Sequence, residues 1–202
     1  MDGPDFEFEE RAFLAGAQFV AGVDEVGRGP LAGPVTAAAV ILDPANIPAG
    51  LNDSKKLSLA RREQLSIEIY KTAEVCVAHA SVGEIDELNI LYASHLAMQR
   101  AVEGLTKTAD HLLIDGNRKP KDLTVKSECI VKGDAKSLSI AAASIVAKVA
   151  RDKIMMDLAQ QFPGYGWENN AGYPTKAHKN ALLVLGVTPH HRRSFKPVYN
   201  IL

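Results

Sequence analysis

The chain has 202 residues, 47% of them hydrophobic and 23% charged, with a formal net charge of −1. That length suits one main globular unit with a substantial core, and no apolar run approaches the ~20 residues of a membrane-spanning helix, which sets the membrane and disordered classes aside. The near-zero charge argues against coating nucleic acid by bulk electrostatics, yet residues 1–100 carry 8 Lys+Arg against 15 Asp+Glu while residues 101–202 carry 15 against 9, so a polyanion could dock on the second half.

In chain order, Gln18 to Asp24 and Pro34 to Leu42 read as two short apolar strands joined by a Gly/Pro-punctuated turn, a hairpin. Ser58 caps a helix reaching about Thr72, Val75 to Val82 reads as a strand, and Glu84 to Leu105 has the i, i+3, i+4 apolar recurrence of one amphipathic helix. His111 to Asp115 is a buried-strand pattern ending in an acid, and Val125 to Val131 is a further strand. Ser137 to Gln161 predicts a long helix whose Ala141-Ala142-Ala143-Ser144 allows close packing on a sheet. After Phe162 the stretch 163–174 is a loop by its turn chemistry, and a short helix runs from Thr175 to about Leu185.

The predicted organisation is an N-terminal extension, 1–17, an α/β unit, 18–161, and a loop-and-helix subregion, 162–202, too short for a core of its own. The acidic start is the reverse of a secretory signal. Cys76 and Cys129 stand without a CxxC pair or a His cluster, which suggests buried thiols in a reducing cytoplasm.

Four acids lie where an element ends or the chain turns: Asp24 and Glu25 after the first strand, Asp115 after the fourth, and Asp134 before the long helix. Ends of strands are where α/β sheets expose functional groups. Carboxylates without sulfur ligands suit Mg²⁺ or Mn²⁺, and two such ions deprotonate a water and stabilise a leaving oxyanion in phosphodiester hydrolysis. Simpler readings stand beside this one: Asp134 as a helix cap, and Asp115-Gly116-Asn117 as a turn. Neighbouring strand residues point to opposite faces, so Asp24 and Glu25 facing one site requires the strand to end or bulge there. Gly27-Arg28-Gly29 could present backbone amides and a guanidinium to a sugar or phosphate.

Several ordered blocks resemble the type 2 ribonucleases H of bacteria, the ribonuclease HII family, from about Phe19 to Val198. They are Asp24-Glu25-Val26-Gly27-Arg28-Gly29-Pro30-Leu31-Ala32-Gly33-Pro34-Val35, Asn52-Asp53-Ser54-Lys55-Lys56-Leu57-Ser58, Leu113 to Asn117, Lys132 to Ser137, Ala142 to Asp152, and Gly172-Tyr173-Pro174-Thr175. The resemblance implies a ribonuclease H-like α/β fold, a mixed central sheet flanked by helices with a helical C-terminal subregion. It implies that Asp24, Glu25, Asp115 and Asp134 hold two Mg²⁺ or Mn²⁺ ions and are catalytic. Asp152, deep in the long helix, is left outside that set and is expected in an ion pair.

By the same resemblance Gly27, Arg28 and Gly29 recognise the ribonucleotide, and Tyr173 stacks on the neighbouring deoxyribose while sensing the 2′-hydroxyl. Lys55 and Lys56 lie near the substrate backbone, with further phosphate contacts expected from Lys176, His178, Arg192 and Arg193. Asn169-Asn170-Ala171 stands where a more basic stretch is expected, which weakens phosphate binding there. The sequence stops at Ile201-Leu202 without the clamp-binding tail of some archaeal relatives. The implied activity is a monomeric cytoplasmic endonuclease that cleaves 5′ of a ribonucleotide in RNA–DNA hybrids or in duplex DNA, leaving 3′-hydroxyl and 5′-phosphate ends.

Overall fold

The alternation of apolar side chains along two adjacent strands sets the layers. In the computed structural model, which describes residues 3–202, β1 (Val20–Val26) runs antiparallel to β2 (Val35–Leu42), from Gly22 opposite Val40 to Val26 opposite Thr36. The expected hairpin is present. β2 pairs antiparallel with β3 (Ala73–Ala80), while β4 (His111–Asp115) lies parallel to β1 and β5 (Lys126–Ile130) parallel to β4. The result is a mixed five-stranded sheet of order β3-β2-β1-β4-β5.

On one face Ala21, Val23, Ala37 and Ala39 pack against α3 (Val82–Glu103), and on the other Ala38, Val40 and Leu42 pack against α2 (Leu59–Thr72) and α4 (Leu138–Gln161). Both sheet faces are therefore covered by helices. Ser58 caps α2 and Ser137 caps α4, each accepting a backbone N–H of the first turn. The predicted small-residue stripe of α4 sits on the sheet, and Gly22 of β1 lets the two backbones nearly touch. A Cβ there would lie 2.1 Å from the carbonyl carbon of Ser139. This close approach brings Ser144, one turn and a half along α4, to the level of Asp24.

Two elements differ from expectation. The helix read as continuous from Glu84 to Leu105 is broken at Asn89, whose φ of 66° is non-helical. The Asn89 side chain accepts the Leu91 N–H at 3.0 Å and so recaps the second piece. The N-terminal segment contains a helix, α1 (Glu7–Leu14), that apolar periodicity does not signal. Its anchor is an acid: buried Glu9 accepts Ser137 Oγ at 2.6 Å, Ser139 N–H at 2.9 Å and Ser139 Oγ at 2.5 Å, at the N-terminus of α4.

Glu9→Ala removes the shared acceptor of three buried donors, of which the two serine hydroxyls can pair with each other only in part, so it is expected to cost roughly 2–4 kcal/mol of stability. Glu9→Gln, which keeps an acceptor, should recover most of that. Urea midpoints at unchanged slope are the measurement, and equal midpoints for Glu9→Ala and the parent would rule the anchor out.

Beyond α4, Tyr165, Trp167, Leu182 and Val198 share one apolar cluster with Leu31, Ala32, Met155 and Leu158. The short helices α5 (Trp167–Asn170), α6 (Lys176–Leu185) and α7 (Lys196–Tyr199) are thus packed on the end of α4 and on the segment that follows β1. No helix among the described residues is long and apolar enough to cross a membrane.

Candidate active site

The four acids come from three places on the sheet. β1 pairs with β4 only as far as Val23 opposite Ile114, so beyond that point the β4 side of β1 is open. Asp24 and Glu25 lie on this open stretch and Asp115 ends β4 beside them. The strand neither ends nor bulges at the two acids, contrary to expectation, because β1 stays in register with β2 through Val26. They leave opposite faces as regular geometry requires. Asp24 lies toward Ser144 on the α4 side, where the Ser144 hydroxyl pairs with that of Ser54 at 2.9 Å, and Glu25 lines a cavity of about 50 Å³ with Leu91, Ser94, His95 and Met98 on the α3 side. Asp115 stands at the strand end between them.

Asp115 Oδ1 accepts the Gly133 N–H at 2.7 Å, which ties β4 to the 3₁₀ turn Gly133–Ala135 that carries Asp134. Ser137, rather than Asp134, caps α4, so the helix-cap reading of Asp134 does not apply. Burial, then the charges of Glu25 and Asp115, push the Asp24 carboxyl well above the usual range. Burial also raises Glu25 against the opposing pull of Arg28. Asp134 is raised by burial and by the Asp53 and Asp115 charges, with Lys55 opposing. Among the described residues, two cations relieve this crowding at close range, Arg28 at 3.2 Å from Glu25 and Lys55 at 3.8 Å from Asp134.

Among the described residues no three carboxylate, imidazole or thiol groups stand close enough together to grip a metal ion as placed. The donor set nevertheless fits a hard divalent cation. It offers carboxylate oxygens without sulfur, and their mutual repulsion and burial are what a cation relieves. Asp152 pairs with Lys148 at 2.6 Å, as expected of it, and stays outside the set.

The residues after β1 form a second wall. Gly27, at φ +93°, lies directly on the Arg151 side chain, and a Cβ on Gly29 would meet the Tyr173 ring at 3.4 Å. The half-exposed Tyr173 ring therefore faces Gly29, and the Tyr173 turn is tied to the same loop by the Leu31 N–H, which donates to Gly172 O at 2.7 Å. Asn170 closes that turn: its Oδ1 accepts the Gly172 N–H, its Nδ2 donates to Tyr165 O, and its carbonyl accepts the Tyr173 N–H, all at 2.8 Å. The Asn169-Asn170-Ala171 departure thus supplies a turn former.

The expected phosphate contacts divide. Lys55, Lys56, Lys176 and Arg193 are exposed. The Lys55 ammonium is partly desolvated, yet the nearby acids Asp134, Asp53, Asp24 and Asp115 carry it above its ordinary value. His178 and Arg192 are fully buried and touch no solvent, which corrects their assignment as phosphate contacts. A carbonyl can only accept, so His178 Nδ1 donates to Tyr173 O at 2.9 Å and its Nε2 accepts Trp167 Nε1–H at 3.0 Å. Arg192 donates to the carbonyls of Gly27, Arg28, Gly33 and Pro34.

Sequence reading also passed over Ser144 and Arg151, although both lie in the Ala142 to Asp152 block. Asp53 sits in a quoted block too, and its place beside Asp134 depends on the fold.

A family model described as Ribonuclease HII matches residues 21–198. Curated proteins named Ribonuclease HII from Ruegeria sp. and Paracoccus denitrificans are 66% and 64% identical over 202 residues, the whole of this chain, and 88% and 96% of their own lengths. Among solved structures, the ribonuclease H2 of Pyrococcus horikoshii superposes with a TM-score of 0.76 at 28% identity, over 91% of this chain and 97% of that one. The ribonuclease HII of Archaeoglobus fulgidus, solved in complex with PCNA, gives 0.72 at 26%, over 90% and 96%. A ribonuclease HIII solved with Mn²⁺ gives 0.74 at 19%, over 94% and 71%, which speaks to the fold alone.

Proposed function

Because this chain belongs to the ribonuclease HII family of type 2 ribonucleases H, we propose that it hydrolyses the phosphodiester 5′ of a ribonucleotide, in RNA–DNA hybrids and in duplex DNA with embedded ribonucleotides. The observation that carries the reading is adjacency. The loop after β1 joins a strand bearing two of the four acids to the Gly29 surface faced by Tyr173, which supports a reading in which the scissile phosphate lies at the acids and its sugar toward the aromatic ring.

Asp24, Glu25, Asp115 and Asp134 would hold two Mg²⁺ or Mn²⁺ ions, which when bound activate the attacking water and stabilise the leaving 3′ oxygen, giving 3′-hydroxyl and 5′-phosphate ends. Gly27, Arg28 and Gly29 bind the ribonucleotide, Arg28 adding a charge-assisted contact. Tyr173 offers a stacking plane and rejects a pair of deoxyriboses by its fit to the 2′-hydroxyl. Lys55 and Lys56 draw the phosphate backbone toward the acids, and Lys176 and Arg193 extend that track. The 162–202 subregion acts as a substrate-binding arm of the 18–161 catalytic unit, in a monomer working in the cytoplasm.

A duplex with one ribonucleotide, incubated with Mg²⁺, Mn²⁺ or EDTA beside an all-DNA control, tests this directly. The expected result is one metal-dependent cut 5′ of the ribonucleotide and none in the control. A mobility shift with both strands intact would make the protein a binder only, and cleavage of the all-DNA duplex would make it a DNA nuclease on the same fold.

A further inference from the structure

Arg151 and Arg192 are both 0% exposed, and neither pairs with a carboxylate among the described residues. Burial of a cation without a counterion is costly unless its donors are fully used. Here the donors go to backbone carbonyls. Arg151 donates to Ala32 O, Pro34 O and Ala171 O at 3.0–3.1 Å. Arg192 donates to Gly27 O at 2.6 Å, Arg28 O and Gly33 O at 3.0 Å, and Pro34 O at 3.2 Å. All but one of these carbonyls belong to the loop between β1 and β2, and Ala171 belongs to the Tyr173 turn.

A trans peptide points its C=O and the following N–H in opposite directions, and no cis peptide occurs among the described residues. Drawing the Gly27 and Arg28 carbonyls inward onto one guanidinium therefore turns the N–H groups of Arg28 and Gly29 outward. Both residues are exposed, and neither N–H has a protein partner among the described residues. The cation behind the two peptides strengthens the positive ends that face out, as a helix N-terminus does for an anion.

We propose that Arg192, with Arg151 beside it, is a positioning residue for ribose recognition: it holds the Arg28 and Gly29 amides outward as a preformed receptor for the 2′ oxygen of the ribonucleotide. The proposal rests on the reading of Gly27-Arg28-Gly29 as the ribonucleotide reader. Arg151 locks the Tyr173 turn to the same loop through Ala171, so both halves of the reader keep one spacing. A lysine cannot replace this fork, because a single ammonium does not span four carbonyls.

The test is binding by the full chain carrying Asp24→Asn, in Mg²⁺, to a duplex with one ribonucleotide and to its all-DNA counterpart. The Asp24→Asn parent should prefer the ribonucleotide duplex by about tenfold or more, and adding Arg192→Lys should cut that ratio roughly fivefold, the worth of one lost hydrogen bond, with all-DNA affinity kept. An unchanged ratio overturns the proposal, and so does a parallel loss of both affinities, which a merely structural arginine would produce. A parent with no preference overturns the ribose reading itself and the proposal with it. Should Arg192→Lys fail to fold, the amide resonances of Arg28 and Gly29 in the parent decide. They shift with the ribonucleotide duplex and not with the all-DNA duplex if the receptor exists, and respond alike to both if it does not.

Discussion

Asp24→Asn is expected to lower cleavage of a ribonucleotide-containing duplex by about 10²–10³-fold, equivalent to roughly 3–4 kcal/mol of transition-state stabilisation, while making the metal-free protein more stable at neutral pH. The two effects have one origin. Asp24 is buried among Glu25, Asp115 and Asp134, and its carboxyl is raised well above the ordinary value of 3.8. A group that holds its proton more tightly folded than unfolded opposes folding once it must ionise. Stability from this site is therefore fully present below the ordinary carboxyl range and is lost as pH rises through the folded value. Glu25 and Asp134 shift in the same direction and deepen the loss.

Asparagine removes the Asp24 charge and with it that share of the fall, leaving the part due to Glu25 and Asp134. Thermal melts in EDTA from acid to neutral pH should show a flatter profile for Asp24→Asn and a higher midpoint at neutral pH. Added Mg²⁺ or Mn²⁺ should raise the midpoint of the parent by mass action and that of the variant by less. Parental cleavage rates in the variant would remove Asp24 from the chemistry, and a lower midpoint in EDTA would remove the repulsion argument.

How much of this was legible in the sequence depends on what each residue's neighbours are. Val20 to Asp24 and His111 to Asp115 are apolar runs ending in acids, and both are strands. The ordered motif blocks carried the family assignment because each block holds several residues whose spacing one fold explains. Asn89 was not legible, since a break that recaps itself within two residues leaves the apolar periodicity of the helix almost in phase. The α1 helix was hidden for the opposite reason, because the side chain that anchors it is Glu9.

Arg192 shows where sequence reasoning fails physically. An arginine without an acid nearby in sequence reads as solvated or phosphate-binding. Its real partners are carbonyls some 160 residues away, which no side-chain pattern announces. Asp24 and Glu25 needed a strand break on paper. The fold supplies an early end to the β1–β4 ladder instead, and Asp115 occupies the gap.

Gly27→Ala separates two effects that the loop combines, and it is expected to be more damaging than its single methyl suggests. At φ +93° an alanine is strained by itself, by about 1–2 kcal/mol. The new Cβ would also lie 2.2 Å from Arg151 Nε and 2.6 Å from its Cδ. These atoms belong to the inner part of a side chain whose head is fixed on three carbonyls, so they cannot swing aside without releasing Ala32, Pro34 or Ala171. Overpacking of this kind adds about 1–3 kcal/mol. Gly16→Ala is the matched control, because Gly16 has φ +95° and no atom within 4 Å of its Cβ position. Gly16→Ala should lose only the strain, with cleavage unchanged. Gly27→Ala should lose roughly 2–5 kcal/mol in a urea titration, and its kcat/KM on the single-ribonucleotide duplex should fall about a hundredfold or more, since misplacing a reader by about 1 Å has that effect. Equal stability losses at the two glycines would mean that Arg151 yields freely, and the loop would then lack the rigid backing that the proposed ribose reading requires.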